Sequence, residues 1–434
     1  MINGNSDIVG RIEADKKVFN VHIKGIPLWE LIRYTLFLHL EHQQGFVAKQ
    51  KSLTISQKVK RFFRLAIYSN PLFSLSKADI LVIRCSRKAL FKGKRIDIYT
   101  AHIEDEAKGN IGIYETAYDS SADLERPHLY FFDFLSNAIA RVALPFYRIN
   151  KQKINALTAF IKPYVSDLDV QKLVAFEYLK FRIKYVLFAT LLKIRKPKAV
   201  YFTNYIDKGA LIAAAKKQNI LTIEIQHGFT SPTLLLYHYP KGMSGQVLLF
   251  PDRYYYLNYD YILGCNLPIE DEKLKLLKSS YIKLKEKDGE QKHKGLKGKG
   301  ILFISQHLLH HNFLQFFKDF VNACTAIKND IKIYYKPHPN EYDMFSEQDL
   351  SFFSDVSQQV EFLTAEKTPY AYLSEVNYVA GVYSTFLLEA KEADKEVILM
   401  NIPGVEHFDE LKKKYNLKLA ACGQELFNFI ADKS

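Results

Sequence analysis

Three short segments combine residue types that could move a group between a phosphate and a hydroxyl. The first is Gln226-His227-Gly228, which continues through Thr230 to Pro232. An imidazole titrates near neutral pH, so His227 could accept a proton from an attacking hydroxyl, while Gly228 lets the backbone approach a ligand closely. The structural alternative is a histidine that only shapes a turn. The flanking glycine and the polar loop that ends in proline favour the catalytic interpretation.

The second segment, Lys336-Pro337-His338-Pro339, places a histidine between two prolines. The prolines restrict the backbone on both sides of the imidazole and so limit its movement. The Lys336 ammonium and a proton from His338 could bind a phosphate or protonate one that departs. A structural turn rarely needs this combination after an apolar strand, so this is the most specific short signal in the chain.

The third segment is Ser384-Thr385, which opens a predicted helix over Ser384–Ala393. Two hydroxyls and the unpaired N–H groups at the positive end of a helix favour a phosphate site. A simple N-cap role for Ser384 explains this segment equally well when it is taken alone. We also expect Ser305 and Gln306, which end another predicted strand, to line the same cleft.

Each of these segments follows a strand of a predicted α/β chain. Ala199–Tyr205 and Ile220–Ile225 have the composition of strands, and the alanine-rich Lys208–Gln218 between them has that of a helix. Alternating strands and helices restart at Ile301. Ligands of parallel α/β sheets bind outside the carboxyl ends of the strands. The pattern therefore predicts two Rossmann-like halves that face each other across a cleft.

The predicted domain organisation has three parts. Residues 1–245 form an acceptor-side Rossmann-like domain, with early strands at Asp79–Arg84 and Arg95–Thr100. Residues 246–300 form a linker and a connecting helix, because a charge-dense stretch there ends in a Gly/Lys-rich tract. Residues 301–434 form the nucleotide-binding domain.

Charge restricts the partners of the chain. The 434 residues include 60 Lys and Arg against 47 Asp and Glu, a formal charge of +13, and a hydrophobic share of 48% that is typical of globular proteins. We expect most lysines to be solvated. The excess of positive charge also fits an anionic substrate or membrane surface. The basic and aromatic stretch Lys49–Arg64 is compatible with a peripheral membrane contact. Without an RNP motif or a zinc finger, the sequence predicts no nucleic-acid partner.

Several common site signatures are absent from the sequence. It has no P-loop, no GxGxxG, no GxSxG and no CxxC pair among its four cysteines. We expect no metal site and no cofactor. A secretory signal and a 20-residue apolar span are also absent, which predicts a cytoplasmic protein. A nucleotide- or polyanion-binding protein without transfer activity is the alternative to an enzyme.

Taken together, the three segments resemble motifs of the bacterial GT-B glycosyltransferases that build surface and capsular polysaccharides. The sialyl-, polysialyl- and Kdo-transferases with a His-Pro motif belong to this group, and the likeness extends over about residues 198–402 by order and spacing. It implies a GT-B fold and a metal-independent transfer from a nucleotide-activated sugar, of CMP or CDP type, to a growing glycan. The acceptor would be lipid-linked, and the enzyme cytoplasmic or peripheral at the inner membrane face.

The resemblance also implies roles for individual residues on the donor side. His338 would contact the donor phosphate or assist its departure, with Lys336 and Pro337 beside it. Ser384 and Thr385 would grip the same phosphates, and Glu389 would hold the ribose.

On the acceptor side the chain departs from the sialyl pattern. Those enzymes carry an acidic pair before a glycine where this chain has Gln226-His227-Gly228. We therefore predict His227 as the base, with Gln226, Gly228 and Thr230 facing the acceptor. The same loop is also similar to the His-Gly-Thr-Pro loop of CDP-glycerol glycerophosphotransferases. A polyol-phosphate transferase that makes a teichoic-acid-like polymer is thus the alternative enzyme.

Overall fold

The computed structural model describes residues 3–43, 54–68, 70–85, 89–91, 94–97, 99–107, 109–116, 127–147, 150–277, 300–326 and 331–431. In these ranges the chain forms two six-stranded sheets, and every pair of neighbouring strands in them is parallel. Helices connect the strands. The predicted α/β class with two Rossmann-like domains, the GT-B arrangement, is confirmed.

The first domain contains the first sheet and two small antiparallel hairpins. Its strands are β1 (His22–Ile23), β2 (Ile26–Pro27), β3 (Ile80–Cys85), β4 (Ala89–Phe91), β5 (Lys94–Ile96), β6 (Ile111–Thr116), β7 (Ala199–Phe202), β8 (Leu221–Ile225), β9 (Arg253–Tyr256) and β10 (Leu274–Leu276). Its helices are α1 (Asn3–Ala14), α2 (Leu28–Gln43), α3 (Ile55–Tyr68), α4 (Ala101–Glu106), α5 (Tyr130–Ala143), α6 (Lys151–Ile161), α7 (Val170–Arg195) and α8 (Gly209–Lys217). The sheet order is β10-β9-β8-β7-β3-β6.

The βαβ unit β7-α8-β8 has the predicted course. Val200 on β7 pairs with Thr222 on β8 in parallel register. Helix α8 covers the sheet with buried alanines and leucine, and the chain turns back through Asn219 in the left-handed region at φ 57°. Asparagine tolerates this conformation better than most residues. The carboxyl end of β8 therefore delivers His227 to the edge of the sheet.

The second domain repeats the architecture. Its strands are β11 (Gly300–Ile304), β12 (Lys332–Lys336), β13 (Val360–Phe362), β14 (Tyr378–Gly381), β15 (Glu396–Met400) and β16 (Lys418–Ala420). Its helices are α9 (His310–Ala326), α10 (Glu347–Asp355), α11 (Thr385–Glu392), α12 (Asp409–Tyr415) and α13 (Gly423–Ala431). The sheet order is β13-β12-β11-β14-β15-β16. The strands predicted from Ile301 onward are confirmed.

The structure departs from the expectations for two segments. Residues 246–300 are not only a linker and helix, because β9 and β10 lie in that range and extend the first sheet beside β8. Tyr254, Tyr256 and Leu274 of these strands pack on the core, which the charge of the segment had obscured. The strand expected at Arg95–Thr100 is only β5, in a separate hairpin with β4. Residues 278–299 lie outside the described part, and the domain boundaries stay a prediction.

Candidate functional site

The carboxyl edges of the two sheets meet at the loop that follows β8. The Phe229 N–H donates a hydrogen bond of 3.1 Å to Oγ1 of Thr385, the first residue of α11 in the second domain. A Cβ at Gly228 would lie 3.7 Å from the same oxygen, which is ordinary contact. The predicted cleft between the domains is therefore bounded by the two segments that sequence patterns had singled out.

Side chains of both domains hold this edge together. The Phe229 and Phe408 rings are 4.7 Å apart, and Thr233 Oγ1 lies 2.6 Å from Nδ1 of His407. Burial lowers the pKa of His407 to about 4, so its imidazole is neutral at physiological pH. The buried Asp260 of the first domain accepts hydrogen bonds from Lys414 and Tyr415 of the second.

His227 lies half-buried just beyond β8, beside an aromatic neighbour. The ring of Tyr99 approaches it edge-on, with centroids 6.5 Å apart. The Tyr99 N–H donates to Asp97 Oδ1 at 3.0 Å, and burial raises the pKa of Asp97 to about 6. Burial raises the pKa of Tyr370 in the second domain, and Tyr99 raises it further. The predicted base thus lies where residues of both domains come close.

Gln226 and Thr230, predicted on the acceptor side, instead shape their own loop. The Gln226 amide donates to the Tyr261 carbonyl at 3.0 Å and accepts from the Leu257 N–H at 2.9 Å. The Thr230 hydroxyl donates to the same Tyr261 carbonyl at 2.8 Å. Both side chains are buried. Contact with an acceptor would require these bonds to break, and the acceptor-side role of both residues stays a prediction.

The His338 segment follows β12 and is held by a carboxylate. The Asn340 N–H donates to His338 Nδ1 at 3.2 Å, so the proton of a neutral imidazole lies on Nε2. The ring of His307 stacks on that of His338 with centroids 5.0 Å apart. The backbone N–H of His338 donates to Glu341 Oε2 at 2.6 Å. Nε2–H is then the hydrogen-bond donor of the neutral ring.

Glu341 is the residue that sequence reasoning missed. Its fully buried carboxylate accepts from the Ser305 hydroxyl at 2.7 Å and lies 3.0 Å from His310 Nδ1, besides its bond to the His338 N–H. A buried carboxylate is stable only with such partners. Its position three residues after His338, in the same turn, was the available signal.

Two predicted donor-binding side chains face inward instead. The Ser305 hydroxyl is buried between Glu341 and the Tyr335 hydroxyl. The Lys336 ammonium donates to the Thr364 carbonyl at 2.7 Å and to the Tyr342 hydroxyl at 3.0 Å, and burial lowers its pKa. A direct contact of either side chain with a phosphate stays a prediction, and in the structure both support the loop. Lys336 still contributes positive charge beneath it.

The other residues predicted on the donor side differ in burial and in hydrogen bonding. Pro337 is buried, and Gln306 is half-buried at the end of β11, between the ends of β12 and β14. Ser384 is the N-cap of α11, since its hydroxyl accepts from the Phe386 N–H at 3.3 Å. The Glu389 carboxylate accepts from the Tyr370 hydroxyl, so a ribose would have to compete for it.

A separate cavity of about 400 Å³ lies in the first domain. Tyr205 and Asp207, which line it, follow β7, and β7 is the neighbour of the strand that precedes His227. Its charges are paired within the protein: Lys184 donates to Asp133 and to the Asp207 carbonyl. The cavity is therefore suited to an uncharged ligand.

The wall of this cavity also offers hydrogen-bonding groups with no partner in the described structure. These are the side chains of Tyr34, Thr35 and Asn137, each half-buried. Aromatic faces beside hydroxyl and amide groups suit an uncharged ring that carries many hydroxyls. Sequence patterns gave no sign of this cavity, because its lining comes from α2, α5, α7, the start of α8 and the loops after β7 and β8.

Among the described residues, no group of three or more His, Cys, Asp and Glu side chains is arranged to hold a metal ion. In the same part of the chain, no helix is long and apolar enough to cross a bilayer.

No protein-family model matches the sequence, and comparison with curated proteins gives no match. Similar solved structures include UDP-GlcNAc 2-epimerase from Neisseria meningitidis bound to UDP-GlcNAc, a glycosyltransferase from Rickettsia africae and MurG from Acinetobacter baumannii. Their identities are 14%, 13% and 9%, and their TM-scores are 0.46, 0.42 and 0.46. The matches cover 81%, 82% and 82% of this chain and 90%, 88% and 90% of the others. These values are too low to indicate a shared reaction.

Proposed function

We propose that the protein is a glycosyltransferase that moves a sugar from a nucleotide-activated donor to a hydroxyl of a growing surface glycan. One observation carries the proposal: the loop with His227 touches the start of α11 across the cleft, at the sheet edge that also bears His338. A base and a phosphate-binding edge thus face each other between two Rossmann-like domains. Bond transfer between two bound substrates needs such an arrangement.

On the donor side, three groups would neutralise the nucleotide phosphate. His338 Nε2–H donates one hydrogen bond, and the N-terminus of α11 with Thr385 adds backbone and hydroxyl groups. Lys336, which lies beneath the His338 loop, adds positive charge. When the bond between the anomeric carbon and the phosphate oxygen breaks, its electron pair leaves with the phosphate, and the hydrogen bond from His338 Nε2–H stabilises the negative charge that develops on that oxygen.

On the acceptor side, His227 would take the proton of the attacking hydroxyl as its oxygen bonds to the anomeric carbon. The cavity beside it would hold an acceptor sugar through Tyr34, Thr35 and Asn137. The proton of the acceptor hydroxyl ends on His227, and the electron pair of the broken bond ends on the nucleotide phosphate, which leaves as an anion. Tyr99, which lies beside His227 and near Tyr370, would help to exclude water from the reacting centre.

The first experiment is thermal stabilisation with CMP, CDP, UDP, GDP and ADP. A nucleotide at about 100 times its dissociation constant adds about 2.7 kcal/mol to folding stability. We expect one nucleotide to stabilise the protein selectively and His338→Ala to abolish the effect. The exposed His311 on α9 provides the matched control, His311→Ala, which should keep it.

Transfer assays then use the sugar donors of that nucleotide. His227→Ala and His338→Ala should each lower turnover by about 10²-fold or more with the fold intact. Turnover from CDP-glycerol or CDP-ribitol alone would identify a polyol-phosphate transferase instead. Stabilisation without turnover from any donor would indicate a nucleotide-binding protein, and near-normal turnover of either variant would remove that histidine from the mechanism.

A further inference from the structure

Helix α3 leaves a line of apolar side chains in solvent. Ile55, Val59, Phe63 and Ile67 recur at every fourth position and are all exposed, Ile55 to 81%. Residues at this spacing lie on one face of a helix, and twelve residues span about 18 Å. Soluble proteins rarely leave so long an apolar row uncovered, which marks it as a contact surface.

The end of helix α5 adds a second exposed apolar ridge. Val142 and Phe146 are 73% and 85% exposed. With their neighbours they border a shallow depression of about 560 Å³, lined by Ala138, Ile139, Val142, Ala143, Phe146 and Tyr147. Helix α3 packs on α5, where Phe62 lies 5.1 Å from Phe134 between ring centroids. The two ridges therefore belong to one packed helix pair, here called the apolar–basic face.

The charges of this face have one sign. Residues 54–68 contain four basic residues, Lys58, Lys60, Arg61 and Arg64, and no acidic one. Residues 134–153 likewise contain Arg141, Arg148, Lys151 and Lys153 without any Asp or Glu. Lys60, Arg64, Arg141, Lys151 and Lys153 are exposed. Long basic side chains beside apolar ones can reach phosphate headgroups while the apolar groups enter the acyl boundary.

We propose that the apolar–basic face docks the protein on an anionic lipid bilayer surface. Charge complementarity favours a lipid surface as the partner, because a basic cluster without acidic residues matches a negatively charged leaflet. Exposed Ile, Val and Phe side chains distributed over two ridges suit insertion into a planar interface. Neither ridge belongs to the cleft, so the proposal stands independently of the transferase function.

The docking also orients the first domain. Helix α5 presents Val142 at the face and contributes Asn137 and Asp133 to the cavity. The cavity therefore lies beside the membrane when the face is docked. An acceptor sugar attached to a lipid would reach it without leaving the bilayer.

The test is flotation of the full chain with vesicles of phosphatidylcholine, with or without phosphatidylglycerol in equal amount. We expect binding to the anionic vesicles that falls steeply as salt rises, since surface charge is screened. Val142→Ser with Phe146→Ser should weaken binding by at least about tenfold. The control is Leu350→Ser, at a residue 51% exposed on α10 of the second domain, which should bind as wild type does.

A second variant, Lys60→Glu with Arg64→Glu, separates charge from apolar contact. It should lose the preference for anionic vesicles. All these side chains are exposed, so unchanged thermal unfolding will show that the fold is intact. Absence of wild-type binding to anionic vesicles, or equal binding by wild type and the serine variant, would overturn the proposal. A protein partner captured by a chain that ignores vesicles would also overturn it.

Discussion

At the residue scale, the site depends on one buried carboxylate more than on any exposed charge. The Glu341 carboxylate accepts a hydrogen bond from the His338 N–H, and it also contacts the Ser305 hydroxyl and His310 Nδ1. The ammonium of Lys336, which we predicted to bind phosphate, donates hydrogen bonds to the Thr364 carbonyl and the Tyr342 hydroxyl. In this part of the cleft, Glu341 and Lys336 thus form buried hydrogen bonds that hold the His338 loop in place.

Glu341→Gln should lower turnover by about tenfold or more, because a carboxylate that accepts from the His338 N–H becomes a weaker amide acceptor. As a positioning residue, Glu341 should also alter the pH profile of turnover, which reports the environment of His338. The measurement is kcat against pH for both proteins. Glu366→Gln, at an exposed carboxylate of the same domain, is the control. A lower melting temperature with an unchanged profile would reduce Glu341 to a purely structural role.

At the scale of elements, helix ends and loops determine what each strand edge presents. The start of α11 offers its N-terminus to the cleft and bonds to the Phe229 N–H. Helices α2, α5 and α7 enclose the cavity of the first domain. The same packing creates the proposed donor and acceptor surfaces from residues that are distant in sequence.

Ser384→Ala should cost about 1 kcal/mol of unfolding free energy, because it removes the N-cap of α11. It should also weaken nucleotide stabilisation. The matched control is Ser346→Ala, which removes the N-cap of α10, where Ser346 Oγ accepts from the Asp349 N–H at 3.2 Å. Denaturant unfolding should show similar costs for the two variants, whereas thermal stabilisation by nucleotide should fall only for Ser384→Ala. Equal nucleotide effects would contradict a phosphate site at α11.

Asn137→Ala should raise the KM for the acceptor by roughly threefold to tenfold with little change in the KM for the donor. One neutral hydrogen bond to a sugar hydroxyl is worth about this much. The control is Asn155→Ala, an exposed asparagine on α6 of the same domain. An unchanged acceptor KM would place the acceptor outside the cavity.

At the scale of the whole molecule, the two domains touch through polar and apolar side chains. His407 meets Ser231 and Thr233 of the first domain, and Asp260 meets Lys414 and Tyr415 of the second. A two-domain transferase must open to exchange substrates. The strength of these contacts therefore governs access to the cleft.

Acid should weaken the contact at His407. Its pKa is lowered from 6.5 to about 4 in the buried state, so the separated state binds more protons between these values. Stability of the contact is full above about pH 6.5 and falls as pH decreases towards 4. Small-angle X-ray scattering should show a larger radius of gyration at pH 5 than at pH 7.5. His407→Gln should remove this difference, His311→Gln should preserve it, and a profile unaffected by His407→Gln would refute the account.

The sequence by itself determined the fold class and the strand ends that matter. The βαβ pattern around β7 and β8, and the segments with His227, His338 and Ser384, depend on local periodicity and on turn residues, which neighbours in sequence dictate. Tertiary structure alone decided the partners of the polar atoms. Whether Lys336 faces a phosphate or the Thr364 carbonyl depends on which loops pack beside it. Glu341, the cavity and the apolar–basic face likewise arise from contacts between distant segments, which no local pattern records.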